Sequence, residues 1–135
     1  MSKPPTVVDI RWIDELRFSA TSDKAAITID SAGLAGPSPV QALGIALAGC
    51  MTTDVAHILT RGRHPPRALR SHLVAERALD DPHRFVRVTL HVTVEGDVPG
   101  DAIERAIALS RDRYCSVWHS MRQDIDFQVT FDVVA

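Results

Sequence analysis

The sequence predicts an α+β domain in which the element order is βββαββαβ, with a short helix before the last strand. Six segments alternate apolar and polar residues with the period of two that half-buried strands show. Two longer segments instead repeat apolar residues every three or four positions, as helices with one buried face do. No linker or internal repeat interrupts the 135 residues, and an apolar content of 45% suits a real core. We therefore predict a single domain over 1–135.

The first three strands fall at 8–12, 16–20 and around 27–29. Asp14 and Glu15 separate the first two strands by a short turn, which predicts a hairpin. Later strands are predicted at 69–75, 86–94 and 125–133, each with one polar face. Such half-polar strands are typical of antiparallel sheets with one face in water.

The first helix has clear start and stop signals. Ser38 can cap its N-terminus, Pro39 takes the first helical position, and Gln41 completes a Ser-x-x-Gln capping box. Gly62 and Pro65 end the pattern. The uncharged, mostly apolar part of this helix covers about 13 residues, whereas a helix that spans a bilayer needs roughly 20. A buried core helix in a soluble, cytoplasmic protein is therefore expected, with no membrane partner. Its many Ala and Gly residues indicate close packing.

The second helix is predicted to follow Gly100 and to end near Ser110 to Arg113, with a short helical turn after Cys115. Its predicted buried face is formed by Ile103, Ala106, Ile107 and Ser110.

The composition of the chain and the motifs missing from it argue against several function classes. The net charge is −2, and Lys and Arg are scattered, whereas nucleic-acid-binding proteins usually carry a basic stripe. The N-terminus lacks the apolar segment of a secretory signal. A Gly-rich phosphate loop and a Gly-x-Ser-x-Gly hydrolase motif are also missing from the sequence.

The two cysteines, Cys50 and Cys115, are the residues most able to carry chemistry. Each could instead be an inert core residue, because buried cysteine is common. Asp54 and His57 fall on the same side of the helix as Cys50. Cys115 is expected at a helix N-terminus, where free N–H groups would lower its pKa by about one or more units.

His119 lies four residues after Cys115 and could pair with that thiol, although a solvated helix position also accounts for it. Together with His57 and both cysteines it supplies possible metal ligands. Zinc-type spacing such as Cys-x-x-Cys is missing, however, so no metal and no cofactor is predicted.

Two segments resemble the cysteine regions of the OsmC/Ohr superfamily. The first is GPSPVQAL at 36–43, running into ALAGC at 46–50, and the second is AIALS at 106–110 followed by YCSV at 114–117. Their order and separation, and the order of the strands, agree with that superfamily over almost the whole chain.

The resemblance implies an interwound homodimer, with an interface well above the standard ~1,600 Å². It also implies reduction of organic hydroperoxides, in which Cys50 attacks as a thiolate and Cys115 resolves the sulfenic acid. An external dithiol would reduce the resulting disulfide, and no metal, flavin or haem would be required.

In peroxidase members of the superfamily, an arginine from the N-terminal hairpin activates the attacking thiol and a glutamate holds that arginine. Arg17 is the best candidate for this arginine, with Arg11 behind it, and an ordinary strand position is the alternative. The expected place of the glutamate is Val40. This departure keeps two other functions open, namely a non-catalytic protein that binds a small lipophilic ligand and a redox sensor without turnover.

Overall fold

A computed structural model describes residues 3–135 and contains the predicted elements in the predicted order. The strands are β1 (Asp9–Asp14), β2 (Arg17–Ser22), β3 (Ala25–Asp30), β4 (Ala68–Arg77), β5 (Phe85–Glu95) and β6 (Asp126–Val134). The helices are α1 (Pro39–Arg61), α2 (Gly100–Leu109) and the single turn α3 (Ser116–His119), and a π-helical turn (Ser110–Tyr114) lies between the last two. The predicted α+β class, with a short helix before the last strand, is confirmed.

The chain divides into two compact units, Met1–Leu43 and Gly44–Ala135. In the first unit, β1, β2 and β3 form an antiparallel sheet in sequence order. Trp12 pairs with Phe18, and Phe18 pairs with Ile29, so three large apolar side chains share one row. Trp12 is nonetheless 66% exposed in the single chain.

Asp30, at the end of β3, organises the loop that leads to α1. Its carboxylate accepts hydrogen bonds from the backbone N–H groups of Ala35 (2.9 Å), Ala32 (3.0 Å) and Leu34 (3.3 Å). These bonds, that from Ala35 first, lower the pKa of Asp30 because they stabilise the ionised form. A loop fixed in this way sets where α1 begins.

The first turn of α1 carries the predicted capping box. The Gln41 backbone N–H donates to Ser38 Oγ over 3.1 Å, and the Ser38 backbone N–H donates to Gln41 Oε1 over 2.9 Å. Just before it, Gly36 lies so close to β3 that an added Cβ would stand 1.9 Å from the Thr28 carbonyl oxygen. Only glycine fits there, which gives a physical reason for the glycine that opens the GPSP segment.

In the second unit, β4 pairs with β5 antiparallel, but β6 pairs with β5 parallel, from Arg87↔Asp126 to Glu95↔Val134. The expectation of purely antiparallel sheets is therefore wrong for β6. The reason is the connection: α2, the π-helical turn and α3 lie between β5 and β6. A crossover of this length returns the chain to the end of the sheet where β5 began, which produces a parallel pair.

The core of the second unit lies between this sheet and one stripe of α1. The buried stripe of α1 is formed by Gly44, Leu47, Met51, Val55 and Leu59, and β5 contributes Val88, Leu90, Val92 and Val94. Helix α1 lies close to β4 at two positions. An added Cβ at Gly44 would lie 3.6 Å from Leu73 Cδ2, and the hydroxyls of Thr52 and Ser71 are 2.8 Å apart.

The remaining surface of α1 is exposed in the single chain. The helix has the buried face that its period predicts, but only 22% of its most apolar 18-residue stretch is buried in the single chain. Ile45 is 62% exposed, and a Cβ added at Gly49 would meet nothing within 4 Å. By length and composition alone α1 could cross a membrane, but core helices of soluble proteins pass the same test.

Candidate functional site

The second unit brings the two cysteines together with a carboxylate. The Sγ atoms of Cys50 and Cys115 and one carboxylate oxygen of Asp54 all lie within 4.8 Å of one another. Both thiols are free, with Cys50 half-buried and Cys115 completely buried. Residues 65 positions apart in the sequence thus form one cluster, which we call the thiol–carboxylate cluster (Cys50, Asp54, Cys115).

Helix α1 supplies two members of this cluster. Cys50 and Asp54 are four residues apart, a spacing that places side chains on the same face of a helix about one turn from each other. Their neighbours Met51 and Val55 are completely buried and fix the rotation of the helix. The thiol and the carboxylate are therefore presented together from a rigid element.

The π-helical turn positions the third member. The Cys115 backbone N–H donates to the Ser110 carbonyl over 2.8 Å, which is the i to i−5 bond of a π-helix. The Ser110 side chain, completely buried, donates its hydroxyl proton to Asp54 Oδ2 over 2.7 Å. One serine thus ties the turn that ends at Cys115 to the carboxylate on α1.

Beyond the turn, Cys115 caps the N-terminus of α3, and its sulfur accepts the Trp118 backbone N–H at 3.4 Å. Trp118 packs on Phe127 of β6 with ring centroids 4.6 Å apart, and the Arg111 guanidinium lies 5.2 Å from the Phe127 ring. This aromatic packing, with its cation–π contact, holds α3 and the Cys115 sulfur in place.

Burial raises the pKa of the Cys115 thiol to about 11, against an ordinary value of 9.0. In this net pKa the Trp118 N–H opposes the effect of burial, and the nearby Cys50 thiol and the Asp54 charge contribute to the rise. The prediction that the helix N-terminus lowers the pKa of Cys115 is therefore wrong, because the net shift is upward. A single N–H donor does not compensate for removal of the thiolate from water.

The other residues singled out in the sequence lie outside the cluster or in the other unit. His57 is exposed, and His119 directs Nε2 to the Arg111 carbonyl at 2.9 Å. In the first unit, Arg17 donates from Nε to Asp14 Oδ1 at 2.6 Å and from a second nitrogen to Oδ2 at 3.1 Å. This bidentate pair raises the pKa of Arg17. Arg11 is exposed on β1.

The donors of the thiol–carboxylate cluster also make it a possible metal site. Two sulfurs and one carboxylate oxygen are ligand types that zinc accepts, although a structural zinc site has four protein ligands. The arrangement is equally suited to thiol chemistry, because two sulfurs this close can be bridged and a carboxylate beside them can exchange protons.

Two members of this arrangement were not assigned from the sequence. Asp54 was noted only as a neighbour of Cys50 on the helix, and Ser110 was interpreted as part of the buried face of α2. The available signal was a serine at an otherwise apolar position five residues before a cysteine. Its significance depends on the π-helical turn, which periodicity does not predict.

Comparison with known proteins gives consistent matches over nearly the whole chain. Protein YhfA of Escherichia coli K12 is 30% identical over 129 residues, covering 93% of this chain and 96% of YhfA. The crystal structure of an OsmC-like protein from Mycoplasma pneumoniae superposes with a TM-score of 0.86 at 16% identity, covering 99% of this chain and 100% of that one. An organic hydroperoxide resistance protein OsmC from Legionella pneumophila gives 0.73 at 13% identity, covering 98% and 100%.

These structural likenesses, at such low identity, concern the fold. The family is settled by the sequence itself, because the profile of the OsmC-like protein family matches residues 30–130, which include both cysteines and Asp54. This chain therefore belongs to the OsmC-like protein family.

Proposed function

We propose that this protein is a thiol-dependent peroxidase that reduces organic hydroperoxides through Cys50 and Cys115. The observation that carries the proposal is the distance of less than 4.8 Å between the two sulfur atoms. Family membership and the fold shared with an organic hydroperoxide resistance protein support the substrate class.

In the first step, the Cys50 thiolate attacks the terminal oxygen of the hydroperoxide. The O–O bond breaks, the alkoxide leaves and takes up a proton to become an alcohol, and Cys50 becomes a sulfenic acid. Sulfur loses two electrons and the peroxide gains them. Cys50 suits this role because it is half-buried and thus accessible, whereas Cys115 is completely buried.

In the second step, Cys115 loses its proton and its sulfur attacks the Cys50 sulfur. The S–O bond breaks, water leaves, and a disulfide joins the two residues. An external dithiol then reduces this disulfide and returns two electrons and two protons. The protein supplies no electrons of its own beyond the two thiols, so the dithiol is a required partner.

The test is turnover of cumene hydroperoxide with a dithiol reductant such as dithiothreitol or dihydrolipoamide. Cys50→Ser should abolish peroxide consumption, because the remaining thiol is buried and protonated. Cys115→Ser should consume about one equivalent per chain and then stop with Cys50 as a sulfenic acid or a more oxidised species. Equal behaviour of the two variants, or wild-type protein without turnover, would refute the proposed function.

A redox sensor without turnover is the second candidate, and Val40 at the position of the superfamily glutamate favours it. A sensor would form the Cys50–Cys115 disulfide with a single equivalent of peroxide but would not be reset by a dithiol at a useful rate. The same assay, followed over many equivalents, separates the two functions.

We further propose that the protein acts as a homodimer assembled through α1. In the single chain, the exposed face of α1 carries small or apolar residues at Ile45, Ala46 and Gly49. Small residues allow two backbones to approach closely, and a second copy of the chain would remove this apolar surface from water. The reaction itself uses the thiols of one chain, because Cys50 and Cys115 both belong to its second unit.

A further inference from the structure

We propose that Asp54 takes the proton of Cys115 when Cys115 attacks oxidised Cys50. In the peroxide cycle, which rests on the proposed function, it then passes that proton to the hydroxide that leaves Cys50. Asp54 would thus be a catalytic residue of the disulfide-forming step, a role separate from activation of the attacking thiol.

Cys115 is completely buried, so bulk water does not reach its thiol to accept the proton. The protein groups beside it in the thiol–carboxylate cluster are Cys50 and Asp54. Once Cys50 is a sulfenic acid or a mixed disulfide it is no longer a thiolate base. Within the part of the chain that the structure describes, Asp54 is then the remaining ionisable acceptor of this cluster.

One carboxylate oxygen of Asp54 lies within 4.8 Å of both sulfurs, so the same group is adjacent to the thiol that loses a proton and to the sulfur that loses its oxygen. Catalytic hydrogen bonds often shorten to full contact only in the reacting complex. Ser110 donates to Oδ2 and thereby fixes the orientation of the carboxylate. A carboxylate accepts about four hydrogen bonds, so this one leaves sites for a thiol proton. Asp54 is half-buried, which also gives it an exit to solvent.

The step balances without another reactant. The S–H proton moves to Asp54, the Cys115 sulfur bonds to the Cys50 sulfur, and the S–O bond breaks with its electron pair. The hydroxide takes the proton from Asp54 and leaves as water. When the leaving group is a stable thiolate instead, Asp54 releases the proton to solvent.

An aryl disulfide isolates this step from peroxide chemistry. With 5,5′-dithiobis(2-nitrobenzoate), attack by Cys50 releases one coloured thiolate, and attack by Cys115 on the resulting mixed disulfide releases a second. The second release, recorded by stopped flow at neutral pH, measures proton loss from Cys115 together with S–S bond formation. It needs no peroxidase activity, so a chain that fails the peroxide assay still reports on Asp54.

Asp54→Asn preserves shape and still accepts from Ser110, but it cannot take a proton. We expect the second release to slow at least tenfold relative to the first, since general base catalysis contributes about 10² to 10⁴. The opposite outcome is equally clear. If Asp54 acted only through its charge, its removal would favour the Cys115 thiolate and speed the second release, which would overturn the proposal.

Three further variants keep the test specific. Asp112→Asn removes a carboxylate from an exposed position of the same π-helical turn and should leave both releases unchanged. Asp54→Glu retains a carboxylate and should restore much of the second release. If Asp54→Asn does not fold, Asp54→Ala provides a cavity in which added formate should accelerate the second release; absence of acceleration in a folded variant counts against the proposal.

Discussion

The Ser110 hydroxyl donates to Asp54 Oδ2 over 2.7 Å and thereby joins two residues that are 56 positions apart in the sequence. Ser110 is completely buried, and its carbonyl simultaneously accepts the Cys115 N–H. The position of the second thiol and the orientation of the carboxylate therefore depend on the same residue.

Ser110→Ala should lower the free energy of unfolding by about 1–3 kcal/mol, because a hydrogen bond to a charged group is lost and the carboxylate keeps fewer partners. Urea denaturation at fixed protein concentration measures this change. Ser116→Ala, at an exposed position of α3, is the matched control and should change stability by less than about 0.5 kcal/mol. Equal losses in both variants would contradict the structural role given to Ser110.

The raised pKa of Cys115 predicts a pH-dependent stability. The unfolded chain ionises this thiol near its ordinary pKa of 9.0, whereas the folded chain keeps it protonated up to about 11. Between these values the folded state binds more protons than the unfolded state, so stability falls as pH rises. The slope from one proton is at most about 1.4 kcal/mol per pH unit.

Chemical denaturation of wild type and Cys115→Ser from pH 8 to 11 should therefore give a shallower decline in the variant. Other groups also titrate in this window, and the variant serves as their control. Identical slopes would show that the Cys115 thiol has no raised pKa in the folded protein.

The proposed dimer predicts that one substitution on α1 separates the subunits. Ala46→Arg places a long cation on the exposed, small-residue face of the helix, and in a dimer that face would be buried. Sedimentation velocity at micromolar concentration should show a shift from dimer to monomer or to unfolded chain. Ala108→Arg makes the same change at an exposed position of α2 and should remain dimeric. A wild-type monomer that is stable and folded would refute the dimer itself.

The local signals of the sequence predicted those elements that depend on short-range chemistry. Ser38, Pro39 and Gln41 identified the start of α1 correctly, because a capping box is made by residues three apart. Alternation likewise identified β5 and β6, since the period of a strand depends on its own two faces.

Features that depend on distant parts of the chain were predicted less well. The parallel pairing of β6 follows from the crossover through α2, and a strand has the same period in either direction. The net pKa of Cys115 depends on complete burial, which outweighs the local capping effect. The proximity of Cys50 and Cys115 was expected from the family resemblance, whereas Asp54 and Ser110 joined the site only through tertiary packing.

Val40→Glu tests whether Arg17 activates Cys50, a role that remains a prediction. Val40 lies half-buried in the first turn of α1, where the helix dipole favours a negative charge. If a glutamate there can hold Arg17 beside the thiolate, the variant should react faster with cumene hydroperoxide and reach its maximal rate at lower pH. The gain would be about tenfold for each pH unit by which that profile moves. Val40→Gln introduces a side chain of the same shape as glutamate but without its charge, and this variant should behave like wild type.

Whether peroxide consumption becomes faster or slower in Val40→Glu decides whether Arg17 activates Cys50. A carboxylate near Cys50 that has no arginine beside it disfavours the thiolate by charge repulsion. Slower peroxide consumption in Val40→Glu, with the pH profile moved to higher pH, would therefore show that Arg17 is not the activator. Iodoacetamide alkylation of Cys50 across the same pH range reports the thiolate directly and should move in parallel with the peroxide rate, because both reactions use the same nucleophile.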